Sequence, residues 1–152
     1  MIPNIERMDD RLDAVEAAML ADTALKLRVI KRSYLRHYSS HTEDEIKKGV
    51  LTLMSAGEGD YSQKLGMVAR DGTHRMLIIC HLKVSEPDSK KQPRAVEDME
   101  LDIIEEVKTF VRNTVNGMDL VIDSVQHSRQ QEAPIGWFVM YLDAKPQANT
   151  IY

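Results

Sequence analysis

Apolar residues at Ile5, Met8, Leu12, Val15 and Met19 recur every three or four positions with Asp and Glu between them, which predicts an amphipathic helix over Ile5–Met19. The next stretch supports two readings. Leu25 to Val29 alternates apolar with basic residues as a strand would, while Leu27, Ile30, Tyr34 and Tyr38 suit one face of a helix. The polar run His41 to Glu45 predicts a turn or a short helix capped by Thr42. Beyond it the period changes from helical to alternating. Gly49–Ser55 (GVLTLMS) reads as a strand, followed by a Gly- and acid-rich loop, AGEGDYS.

Asp71-Gly72, a dipeptide that accepts a tight turn, predicts a hairpin between Gln63–Arg70 and Thr73–Ser85. The unbroken apolar run Met76 to Cys80 marks its second arm as the central strand, covered on both faces. Glu86–Pro93, with two prolines among charges, predicts an exposed connection. A long helix follows over Arg94–Val115: Val96, Met99, Ile103, Val107 and Phe110 form its stripe, Ile104 and Val111 widen it, and Asn116-Gly117 stops it. Leu120–His127 and Ile135–Asp143 predict a second hairpin across a polar loop. The expected architecture is a single α+β domain over residues 1–144, a mixed or antiparallel sheet with an N-terminal helix and one long helix packed on one side. Residues 145–152 form a polar tail.

Composition narrows the function classes. A chain of 152 residues, 43% hydrophobic and 29% charged, has enough apolar surface for one core and no room for two. Its one cysteine, Cys80, excludes an intramolecular disulfide and any cysteine-cluster metal site. The start MIPNIERMDD is acidic where a secretory signal needs a basic end, and no stretch of roughly 18 apolar residues predicts a membrane span.

The formal net charge of −4 argues against general affinity for nucleic acid, yet the charge is polarised. Lys26, Arg28, Lys31, Arg32 and Arg36 fall in one stretch without an acid, and Glu97 to Glu106 holds six carboxylates without a base. The basic stretch reads either as hydrated surface or as an electrostatic contact for a neighbouring copy or for DNA. The acids Glu97, Asp98, Glu100, Asp102, Glu105 and Glu106 read as the solvated face of the long helix.

Catalytic signatures are absent: no Gly-rich phosphate loop, no G-x-S-x-G elbow and no H-E-x-x-H. Cys80 and His81 are adjacent on a strand and so point to opposite faces, which reads as a core cysteine rather than an activated thiol. His37 and His41 have helical spacing but no supporting ligands nearby, and read as surface residues. Neither cofactor, metal nor catalytic residue is expected.

Taken in order, the helix, the strand GVLTLM with its loop SAGEGDYS, the long strand RMLIICHLKVSEP, the acidic helix VEDMELDIIEEVKTFV and the closing hairpin DLVIDSVQHS–GWFVMYLDAK resemble the tail terminator proteins of long-tailed bacteriophages, the lambda type, over nearly the whole chain. That resemblance implies a homo-hexameric ring that caps the tail tube, stops its polymerisation and presents a surface for joining the head. Its partners would be its own copies, the tail tube protein and a head–tail connector, with DNA only as cargo through the lumen and no membrane. It would be assembled in the host cytoplasm and kept in the virion. Gly57, Glu58, Gly59, Asp60 and Tyr61 match the family's loop after its first strand, and Gln130, Gln131 and Glu132, in the loop ending at Pro134, match that of the closing hairpin. With the basic stretch these are the expected contacts to tube or neighbour. Two segments depart from the family's pattern, the arm Gln63–Arg70 and the basic Lys26–Arg36, and they favour as an alternative a head-completion or tube-joining protein. A further alternative is a nucleic-acid or regulatory binding module.

Overall fold

A computed structural model describes residues 7–32, 41–59, 63–64, 67–68, 72–112, 115 and 117–146. Its first element, α1 (Met8–Ala21), turns Leu12, Val15 and Met19 inward, as the spacing of those residues requires. The helix ends where Asp22 leaves helical geometry. The Asp22 carboxylate then accepts from the Ala24 amide at 2.8 Å and starts a single 3₁₀ turn, Thr23–Leu25. Both readings of the next segment give way to this short turn followed by a four-residue strand, β1 (Val29–Arg32).

Helix α2 (Glu43–Lys48) starts with a reciprocal cap. Thr42 Oγ1 accepts from the Glu45 amide at 3.2 Å, and Glu45 accepts from the Thr42 amide at 3.1 Å. It stops at Gly49, whose φ of +88° suits glycine and whose missing side chain leaves room for Ile103.

Strands β2 (Val50–Gly59), β5 (Thr73–Lys83), β6 (Met118–His127) and β7 (Ile135–Pro146) join β1 in a five-stranded mixed sheet of order β1-β2-β5-β7-β6. Only β1 and β2 run parallel. The expected central strand is central. Two short strands, β3 (Gln63–Lys64) and β4 (Met67–Val68), pair with each other.

That pairing corrects the first expected hairpin. The second arm, β5, has β2 along one edge and β7 along the other, so neither edge is left for Gln63–Arg70. Pairing along its length with β2 and β7 outweighs what a local turn offers, because sheet stability accumulates over cross-strand side-chain pairs. Asp71 lies outside the described residues.

Register assigns the faces. Leu51 opposes Cys80 and Cys80 opposes Phe138; Leu53, Ile78 and Met140 form the next row. These rows meet Val15 and Met19 of α1 and Val96, Ile103, Val107 and Phe110 of α3 (Gln92–Val111) in one core. Helix α3 starts two residues before its expected first residue, because Pro93 fits a first turn that needs no amide donor. It also ends before Val115, which instead bridges to Met118 around Gly117 at φ +74°. The molecule is therefore a single α+β domain, with α1 and the 20-residue α3 packed on the mixed sheet.

Candidate interaction surface

Most of the basic stretch is spent inside the fold. Arg28 makes a two-pronged pair with Glu106 of α3, at 2.8 and 3.0 Å, and donates to the Lys48 carbonyl at 2.8 Å. Lys31 reaches Glu45 at 3.1 Å and His41 Nδ1 at 3.3 Å, and Arg32 pairs with Asp13 of α1. Lys26 is exposed, and Arg36 lies outside the described residues. The residues that looked like one surface patch are thus three ties, from β1 and the turn before it to α1, α2 and α3.

The expected loop Gly57–Tyr61 is corrected over its first three positions. Gly57, Glu58 and Gly59 continue β2, paired with Arg75, His74 and Thr73 across a bulge between Ser55 and Gly57. Gly57 at φ +105° supplies the bulge backbone. Glu58 is drawn in by Arg11: their side chains are 7% and 5% exposed and form an ion pair, and Glu58 also accepts from the Gly72 amide at 3.3 Å. Asp60 and Tyr61 lie outside the described residues.

The closing hairpin forms, with strands longer than expected: β6 begins at Met118, and β7 runs to Pro146, two residues into the expected polar tail. In its turn Gln130 donates from Nε2 to Glu97 at 3.2 Å, while Gln131 and Glu132 are exposed. Arg129 and Gln130 both adopt positive φ, 58° and 57°.

Two expectations about titratable residues are overturned. Glu100 does not belong to a solvated face: it is fully buried, one helical turn from Val96 on the side that meets the sheet. His41 is not a surface residue either, since its ring is buried 5.4 Å from that of His81 on β5. Burial, then the Lys31 ammonium, holds His41 below the usual imidazole range. His37 lies outside the described residues. Burial likewise depresses His74, with Arg11 adding to it, while Ser55 Oγ sits 2.9 Å from its Nε2. Cys80 is a core residue, its thiol pushed far up by burial. Among the described residues no three His, Cys, Asp or Glu side chains gather as metal ligands, and no helix is long and apolar enough to cross a membrane.

Sequence reasoning missed the sheet face opposite α1 and α3. Here Met54 opposes Leu77 and Leu77 opposes Tyr141; Ile79 opposes Val139, and His81 opposes Trp137. Helix α2 covers one end, tied by Lys83–Glu43 at 2.8 Å and Lys31–Glu45 at 3.1 Å. Met54, Leu77, Trp137, Val139 and Tyr141 stay partly exposed, and Val121 on the edge strand β6 is 43% exposed. The signal was present in β7, where both alternating sets are apolar although one face alone would fill the core.

Comparison with protein families and with curated proteins gives no match to this chain.

Proposed function

We propose that this chain is a structural virion subunit, of which six copies close into a ring that caps a phage tail tube, ends its growth and offers the tail-side surface for head joining. The observation that carries the reading is the second sheet face. Leu77, Val139, Tyr141 and Trp137 lie together on that face and stay partly exposed, and clustered apolar side chains within reach of solvent are where protein contacts form. A head-to-tail contact that closes by rotation would bury such a surface in every copy and produce a finite assembly. The order of elements on which the family resemblance rests is also present: α1, β2, the long β5, the acidic α3 and the closing hairpin.

Engagement of Arg28, Lys31 and Arg32 within the fold weakens the nucleic-acid alternative, since phosphate binding draws on cations that are not already paired. The work assigned to the protein is geometric, and no reaction is assigned to it.

Adding the purified protein to polymerising tail tubes tests the reading by electron microscopy. The expected result is a ring-shaped cap at one tube end and shorter tubes as its concentration rises. Bare ends and unchanged lengths at saturating protein would refute it.

A further inference from the structure

Glu100 occupies a position where an apolar residue would pack at lower cost. It is fully buried between Val96 and Ile103 on the inner side of α3, and charge there needs partners to be tolerated. Among the described residues its carboxylate meets the end of β6 and the turn after it. Ser128 Oγ donates to Oε2 at 2.5 Å, and His127 Nδ1 lies 3.5 Å from Oε1.

The Ser128 hydroxyl also accepts from the Gln130 amide at 3.2 Å, which passes the anchor on to the tip of the turn. There Arg129 and Gln130 hold consecutive left-handed conformations, costly for residues other than glycine and kept only where surrounding contacts over-determine them. The strand beyond leaves space for the anchor: a Cβ on Gly136 would lie 2.6 Å from Glu100 Oε2.

We propose that Glu100 is a positioning residue, whose buried carboxylate latches the β6–β7 turn onto α3 through Ser128 and makes that turn a rigid contact surface. Glu97, holding Gln130 Nε2 at 3.2 Å, is the outer tie of the same latch. The geometry of the latch stands apart from the ring reading, but the partner of the turn, a neighbouring copy, rests on it.

Amide hydrogen exchange tests the latch in Ser128→Ala, Glu100→Gln and Glu100→Ala, with solution mass measured alongside. Ser128→Ala is expected to speed exchange of the turn amides by roughly ten- to a hundredfold, the range for losing one hydrogen bond to a charged group. Amides of β5 and of mid-α3 should keep wild-type rates. Glu100→Gln, whose carbonyl can still accept from Ser128, should restore slow exchange relative to Glu100→Ala. Should Glu100→Ala fail to fold, Ser128→Ala against Glu100→Gln carries the comparison.

Unchanged turn exchange in Ser128→Ala, or acceleration spread evenly over the sheet, overturns the latch. A loosened turn in a protein that never assembles keeps the latch and removes the ring. An assembled wild type whose variants show no change at the turn does the reverse.

Discussion

Replacing the buried Arg11 with methionine keeps an apolar stem and removes the charged head. Glu58 is then left 7% exposed without the guanidinium that draws it inward from β2. Removing one partner of a buried pair costs about 3–5 kcal/mol, because the remaining charge must be hydrated by local opening or protonated. In a chain of 152 residues each kcal/mol lowers the melting temperature by about 2–4 °C, so the expected loss is roughly 6–20 °C. Part of the damage should be local, since the Gly72 amide shares the same carboxylate. Replacing both residues, Arg11→Met with Glu58→Leu, removes the buried carboxylate together with the guanidinium. It should recover most of the loss, a coupling that a double-mutant cycle in thermal or urea unfolding measures directly. A melting temperature within about 2 °C of wild type for Arg11→Met, below even one kcal/mol by the same conversion, would show that the pair contributes little and that Glu58 is hydrated in the folded state.

Gly136→Ala should destabilise by about 1–3 kcal/mol, read by urea unfolding, because its methyl group would overlap Glu100 Oε2 and Val96 Cγ1, each 2.6 Å away. Acid should destabilise the fold through His41 and His74. Both are depressed by burial, so their neutral forms favour folding above the unfolded imidazole range, and that contribution is lost as pH falls through it toward the lower folded values. Melting temperatures between pH 8 and pH 5 should fall less steeply in a His41→Asn, His74→Asn variant than in wild type. Cys80 should resist a thiol reagent in the native protein and react at the rate of unfolding, which parallel denaturation and labelling kinetics would show. Trp137→Lys with Tyr141→Lys, at two partly exposed positions of the second sheet face, should abolish self-association in sedimentation and lower the melting temperature, while the monomer still unfolds cooperatively.

Much of the fold was legible because its signals are local and strong. The stripe Val96, Ile103, Val107, Phe110 has a period that only a helix satisfies, and the apolar run of β7 is short and rich in aromatic residues, as a strand is. At His41 to Glu45 the sequence allowed a turn or a short helix capped by Thr42, and the capped helix is what forms. What failed was long-range. Asp71-Gly72 is a sound turn signal, but a turn does not choose its strands, and β5 pairs with the longer β2 and β7. The Gly-rich run after β2 reads as loop until Arg11, 47 positions away, pairs with Glu58 and holds those residues in the strand.

The candidate surface was less legible for the same reason. A charge run shows which residues are charged but not which opposite charges the fold brings to them. Arg28 finds Glu106 78 positions downstream, and Lys31 and Arg32 find Glu45 and Asp13. Glu100 sits among five other acids in sequence, and helical phase alone gives it a different fate: it follows Val96 by one turn, on the side facing the sheet. The half-covered apolar face could be read only once register placed Leu77, Val139, Tyr141 and Trp137 together.

The mass of the purified protein in solution, followed over concentration by sedimentation velocity and beside a Trp137→Lys, Tyr141→Lys control, decides whether copies of this chain close on one another. The expected species is closed and roughly sixfold heavier than the 17.3 kDa chain, and it is lost in the control. A 17.3 kDa monomer at every concentration, with no gain in mass when tail tubes are added, would contradict it.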